Sequence, residues 1–357
     1  MKIISILFLI ILSTSIYGQT DKEKAYDLGM KAIEEMEAGN IEEAIKMLEK
    51  SIKLDPENIH YPYEIAYAHY LDKNYSKAIK VLKKLTREDN VNERIWQMLG
   101  NSYDMDGDPK EAIATYEKGL EYFPNSGILY LERGNMELQK EAFNEALNYY
   151  EKGIKAEPGF PSNYYWASKI YLSSTEEVWG LLYGEIFMNI ERNTKRTAEI
   201  SSLLYNTYKS EIQFTSDSSL TVSFCQQMSL NVSDLSDTAD LKMPFCMIYE
   251  PTLMMALIMA ETIDINSLSK ARTSFITNYY ESGHNEDYPN VLFDYQKRMK
   301  SEGHFDAYNH WILMKGDEEA FSEWHDDNSE KWQEFIAWFS ENPMEINKNK
   351  YFHTSQY

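Results

Sequence analysis

Residues 96–124 read WQMLGNSYDMDGDPKEAIATYEKGLEYFP, and the spacing of four residues within them decides the fold. Gly100 stands twelve positions before Ala112, Tyr116 stands four after it, and Pro124 closes the stretch. Moving outward in steps of 34 residues, the alanine returns as Ala44, Ala78 and Ala146. The small residue before it returns as Ala32, Ala66 and Gly134, and the large one after it as Leu48, Leu82 and Tyr150. Pro56 and Pro158 keep step with Pro124, while the second unit has Asn90 at that place. A fixed period of this length marks one supersecondary unit repeated and stacked.

Each period reads as two short helices. Small residues on both let the backbones approach, and the large residue fills the gap to the next unit. Gly39-Asn40 and Gly107-Asp108 break the chain between helices, and the prolines mark the boundaries between units. In the third unit Trp96, Leu99, Gly100, Tyr103, Ala112, Tyr116 and Pro124 occur in order, and there the chain resembles the tetratricopeptide repeat family. The resemblance covers residues 21–172, less than half the chain. It implies a right-handed superhelix of helix pairs. A degenerate fifth unit follows, with Tyr164, Ser168 and Tyr171 in phase and Gly180 and Gly184 where Ala and a large residue are expected.

The stretch DMDGD at 104–108 poses a separate question, because alternating aspartates around a glycine open a calcium loop. Such a loop needs Gly at its sixth place and Glu at its twelfth, and here Pro109 and Thr115 stand there. The spacing instead predicts a turn, with Asp108 capping a helix that begins at Pro109.

Ahead of the repeats, residues 1–18 carry Lys2, an apolar run over 3–12 and small residues up to Gly18. This is the layout of a signal peptide, with cleavage expected near Gly18 and export to a periplasm or beyond the cell. Gln19 follows, so a lipid on a new N-terminal cysteine is not expected. The most apolar later run, LMMALIMA at 253–260, is far shorter than the roughly 20 residues a membrane helix needs. A formal net charge of −22 excludes general electrostatic attraction to nucleic acid or anionic membrane.

Beyond residue 194 the period is lost. The organisation read from sequence is a leader at 1–18 and a repeat array at 21–193, with units at 25–58, 59–92, 93–126 and 127–160 and the degenerate fifth. A helix and a Ser/Asp-rich loop at 194–249 come next, then a helical C-terminal domain at 250–346. The expected fold class is all-α. Within 213–241 the alternating LTVSF suggests a small strand pair, and Asn231-Val232-Ser233 matches a glycosylation acceptor. EPTLMMALIMAETI, apolar nearly all round, reads as a buried helix starting near Pro251. Further helices end at glycines, and the last begins near Ser329 with Trp332, Phe335, Ile336 and Phe339 on one face. Trp311, Trp324, Trp332 and Trp338 form either core or a ligand platform.

Cys225 and Cys246 are the only cysteines. In an oxidising compartment they would form a disulfide contributing about 3 kcal/mol by loop entropy; the alternative is two buried thiols. The chain lacks the common hydrolase, zinc-protease and phosphate-loop motifs, and no cofactor is expected. His304, Asp306 and His310 form the densest acid–base group, which His284, His325 and Asp326 would join only if the fold assembles them. His304 and His310 are six apart on a helix and face different ways.

The resemblance also implies a concave face lined by the first helices. Carrying the phase of Trp96 and Gly100 through the units puts Tyr63, Tyr67 and Tyr70 there from the second. Arg94, Gln97, Asn101 and Asp104 come from the third, Leu131, Asn135 and Leu138 from the fourth, and Tyr165 and Lys169 from the fifth. Asn101 and Asn135 are equivalent; in peptide-binding members such asparagines bond an extended backbone. The basic clamp of some members would need cations where Gln97, Leu131 and Glu132 stand. The expectation is an exported scaffold for a protein or peptide partner. The alternatives are an enzyme with its site in the C-terminal half, or a structural envelope component whose groove is filled from within.

Overall fold

The computed structural model describes residues 20–216, 219–226 and 243–357; the leader and the Asn231 triplet lie outside the described residues. The described residues are all-α apart from one strand pair, and they fall into two compact units, Met1–Ala112 and Ile113–Tyr357.

The first unit holds α1 (Asp21–Glu37), α2 (Ile41–Leu54), α3 (His60–Leu71), α4 (Tyr75–Leu85), α5 (Glu93–Met105) and the start of α6 (Pro109–Tyr122). Thr20 and Glu23 close a capping box on α1, and the Asn92 side chain accepts from the first amides of α5. At α6 the Asp108 carboxylate accepts from the Glu111 amide at 3.1 Å, with Pro109 the first helical residue, so this aspartate turns and caps the chain. Ala25, Ala32, Ala44 and Leu48 are fully buried, as are Ala66, Ala78 and Leu82 in the second repeat. The 34-residue rhythm is therefore a rhythm of close helix contact.

The turn between the helices recurs with the same period. Gly39, Lys73, Gly107 and Glu141 sit 34 apart, and each has positive φ: 84°, 57°, 88° and 58°. This left-handed step is cheap for glycine and costs a side-chain-bearing residue about 1 kcal/mol or more. Lys73→Gly and Glu141→Gly are each expected to raise unfolding free energy by about 1 kcal/mol. Urea denaturation of the single variants checks this; a loss in either would mean its side chain is worth more than the strain.

The second unit continues with α7 (Gly127–Leu138), α8 (Phe143–Ala156), α9 (Pro161–Tyr171), α10 (Glu177–Ile190) and α11 (Lys195–Glu211). The antiparallel hairpin β1 (Ile212–Ser216) and β2 (Ser219–Val222) follows. Then come α12 (Cys246–Ala256), α13 (Ile265–Glu281), α14 (His284–Asp287), α15 (Val291–Ser301), α16 (Phe305–Leu313), α17 (Glu318–Asp327) and α18 (Ser329–Glu341). One continuous core runs from Leu131 to Phe352, so repeats four and five share their interior with the C-terminal helices.

The two glycines of the degenerate repeat explain its form. A Cβ on Gly180 would stand 2.7 Å from the Leu172 backbone nitrogen, and one on Gly184 2.6 Å from Ser168 Oγ. Ser168 donates to the Gly180 carbonyl at 2.8 Å, which locks α10 against α9. With Trp179 alone half-exposed between Val178 and Asn189, α10 is buried on every side.

The last residues return to this helix. Phe352 is fully buried, its ring 5.2 Å from Tyr183 and 6.1 Å from Trp179. Glu151 on α8 accepts from the hydroxyls of Thr354 at 2.7 Å, Tyr171 at 3.0 Å and Tyr183 at 3.1 Å. Tyr357 lies 4.8 Å from Phe245.

One expectation is corrected by α12. The helix begins at Cys246, so Pro251 lies inside it and not near its start. Cys246, Tyr249, Thr252 and Leu253 face the core, while Met255, Ile258 and Met259 are 60%, 73% and 91% exposed. Helix α12 ends at Ala256, so Ile258 and Met259 fall in the turn beyond it and not on its buried face. Helix α17 was not separately legible, because only Trp324 of its polar sequence is buried.

Candidate functional site

In the first unit, α3 carries Tyr63, Tyr67 and Tyr70 at spacings of four and three, which puts them on one helical face. On α5, Arg94, Gln97, Asn101 and Asp104 repeat that pattern, and α3 packs near α5. Arg94 is exposed and the other six are half-buried. The face thus offers apolar rings for contact and amides for hydrogen bonds, with one cation and one carboxylate. Burial raises the Tyr63 hydroxyl pKa, Glu64 adds to this, and Arg94 opposes it, which places the guanidinium within electrostatic reach of that ring. Tyr70 stands edge-on to Tyr75 at 5.4 Å.

The corresponding residues of the second unit have a different setting. Leu131 is buried, and Asn135 is held by its neighbours: its amide donates to Glu132 at 3.1 Å and its oxygen accepts from Tyr150 at 2.9 Å. Tyr165 is buried and donates to Glu199, whose carboxylate also pairs with Lys169 at 2.6 Å. Arg196 lies 5.0 Å over the Tyr165 ring. Helix α11 therefore covers the inner positions of α9. Glu199 and Arg196 carried no signal in sequence, because a polar residue on an amphipathic helix does not announce its partner.

The C-terminal histidines do not converge. His310 is buried, with Nδ1 2.8 Å from the Asp306 carbonyl and Nε2 3.1 Å from Asn266 Oδ1, and its ring stacks on Trp324 at 4.0 Å. Burial lowers its pKa, against the pull of Asp306. His304 stacks instead on Trp338 at 5.1 Å, and His284 meets Tyr279 at 5.7 Å. These rings serve packing. Cys225 and Cys246 are joined in a disulfide beside Glu250, which accepts from the amides of Phe224 and Cys225.

Near this disulfide the Glu177 carboxyl is pushed up to about 7, by burial first and then by Glu211. An acid raised in the folded state favours folding below its unfolded pKa, and that contribution is lost as pH rises through the folded value. Glu177→Gln removes the charge. The variant is expected to match the native chain near pH 4.5 and to exceed its stability increasingly up to pH 7, reaching about 1 kcal/mol after solvent screening. Denaturation across this range checks the sign; equal curves at all pH values would refute the burial of that charge.

Sequence profiles of the tetratricopeptide repeat match residues 35–101 and 93–126. Cilia- and flagella-associated protein 70 of Homo sapiens is 27% identical over 101 residues, covering 28% of this chain and 9% of that protein. The general transcriptional corepressor trfA of Dictyostelium discoideum is 28% identical over 129 residues, covering 33% and 9%. A TPR repeat-containing protein of Methanocaldococcus jannaschii is 30% identical over 112 residues, covering 29% and 20%. The chain thus spans a fifth or less of the length of these relatives. Among solved structures, that of Pseudomonas aeruginosa pilF is 18% identical with a TM-score of 0.43, covering 53% of this chain and 85% of that one. YrrB, described as a TPR protein with an unusual peptide-binding site, is 19% identical with a TM-score of 0.33, covering 49% and 90%. At these scores nothing about function carries over. The N-terminal part of the chain is built of tetratricopeptide repeats, a scaffold fold that binds protein or peptide partners. No helix among the described residues is long and apolar enough to cross a membrane.

Proposed function

We propose that this tetratricopeptide chain is an exported scaffold that captures a protein partner on the α3/α5 face of its first unit. One observation carries the reading. Seven side chains placed by repeat phase, Tyr63 to Asp104, are half-buried or exposed there, whereas the equivalent Tyr165 in the second unit is buried against α11. Amide and aromatic groups on adjacent helices suit an extended segment, whose backbone needs hydrogen-bond partners and whose side chains need apolar contact. Export is supported by Lys2, the apolar run and the small residues up to Gly18. Catalysis has less support, because His304 and His310 are separated by their own stacking partners.

The test is crosslinked affinity capture from a cell-envelope extract, using the chain from Gln19 onward as bait. Tyr67→Ala combined with Asn101→Ala is expected to weaken recovery of the captured protein at least about tenfold, the scale of losing interface anchors. The helical circular dichroism should stay unchanged. Unchanged capture would place recognition elsewhere.

A further inference from the structure

A cleft of about 380 Å³ opens on the second unit between the end of α16, helix α17 and the start of α18. Its volume lies within the roughly 300–1,000 Å³ typical of small-ligand sites. Three half-exposed rings line it: Phe321 and His325 from α17 and Trp332 from α18. Phe321 stands 5.4 Å from Trp332 at 73°, and His325 5.7 Å from it at 75°, so the rings form a corner with faces in two directions. Lys315 and Glu318 stand at the same cleft, paired with each other at 3.0 Å. Ser322 completes the polar set.

We propose that this cleft binds a neutral sugar residue. The chemistry points there by three steps. First, the two formal charges in the lining neutralise each other, so the cleft selects neither an anion nor a cation. Second, the Trp332 indole N–H and the Ser322 hydroxyl donate to nothing among the described residues, although both belong to the cleft lining. With the His325 imidazole and the Lys315–Glu318 pair they supply donors and acceptors together. A sugar hydroxyl both donates and accepts, so a polyol matches that mixture better than an amine or a carboxylate does. Third, the C–H face of a sugar ring is apolar and needs an aromatic surface, which Phe321 and Trp332 offer with their planes 73° apart in the same cleft as the hydrogen-bonding groups. The α3/α5 face is elsewhere in the chain, so this activity is additional to partner capture and does not depend on it.

The experiment is saturation-transfer NMR on the whole chain, with methyl glycosides of glucose, galactose, mannose and N-acetylglucosamine as probes and tetramethylammonium as the competing chemistry. Ring protons of at least one glycoside are expected to take up saturation. Ser322→Leu, an exposed change on α17 that fills the cleft, should abolish it. Trp332→Phe, which keeps an aromatic ring but removes the N–H, should reduce it. No transfer to any glycoside overturns the proposal, as does transfer that persists undiminished in both variants. Transfer to tetramethylammonium alone would assign the rings to cation binding instead.

Discussion

Arg272→Leu is expected to lose about 3–5 kcal/mol of stability. The guanidinium is buried in the second unit, where it donates to Glu185, to Asn309 Oδ1 at 2.7 Å and to the Tyr208 hydroxyl at 3.1 Å. Gln296 donates to the same Glu185 oxygen. Burial alone would lower the Arg272 pKa, and the Glu185 carboxylate more than reverses it, so the guanidinium stays charged. Removing the arginine leaves the buried Glu185 carboxylate on α10 without its counter-charge. The matching control is Glu185→Leu with Arg272→Leu. Replacing a buried pair by apolar residues is often neutral, so the double variant should recover most of the loss. Six of the seven tryptophans, all but Trp96, lie in the second unit, and their fluorescence during urea unfolding reports this core directly. Equal losses in the single and double variants would show that the pair is not the source.

Phe352→Ala is expected to cost about 3–5 kcal/mol, the usual range for emptying a fully buried aromatic site. Apart from Tyr357, the rings it meets lie far from it in sequence. Its ring closes the space between Tyr183, Trp179 and Tyr357. Thr354→Val serves as a finer probe, because it removes one of the three hydroxyls that solvate the Glu151 carboxylate. That loss should be about 1–2 kcal/mol, and it should fall in the same fluorescence transition. If Phe352→Ala leaves the midpoint unchanged, residues 351–357 do not belong to the cooperative core.

The repeats were legible because close helix contact repeats a chemical demand. Ala44, Ala78, Ala112 and Ala146 are small for one reason, and all four are fully buried. In the structure the inter-helix turns at Lys73 and Glu141 keep the same phase, although no glycine marks them. What could not be read was any contact without a period. Glu199 reaches Tyr165 across 34 residues as a single pair, and nothing in either neighbourhood predicts it. The run at α12 was misjudged for a related reason: an apolar run shows that a segment can be buried, and here the helix ends at Ala256, before Ile258 and Met259. Phase alone puts Tyr63, Tyr67 and Tyr70 of the first unit on one face of α3. The corresponding residues of the second unit met a helix whose placement depends on tertiary packing.

The return of Phe352 to α10 has a consequence for how the chain is made. One core cluster of the first unit joins residues 25–68, so its partners leave the ribosome close together and can assemble during synthesis. The second core opens at Leu131 and is closed by Phe352, with the Thr354–Glu151 bond spanning 203 residues. Contacts of that separation form slowly, because the intervening chain must be ordered first. Translation therefore delivers an early-assembled N-terminal unit attached to a long, still incomplete one, and that interval is when a chaperone would find the chain most open.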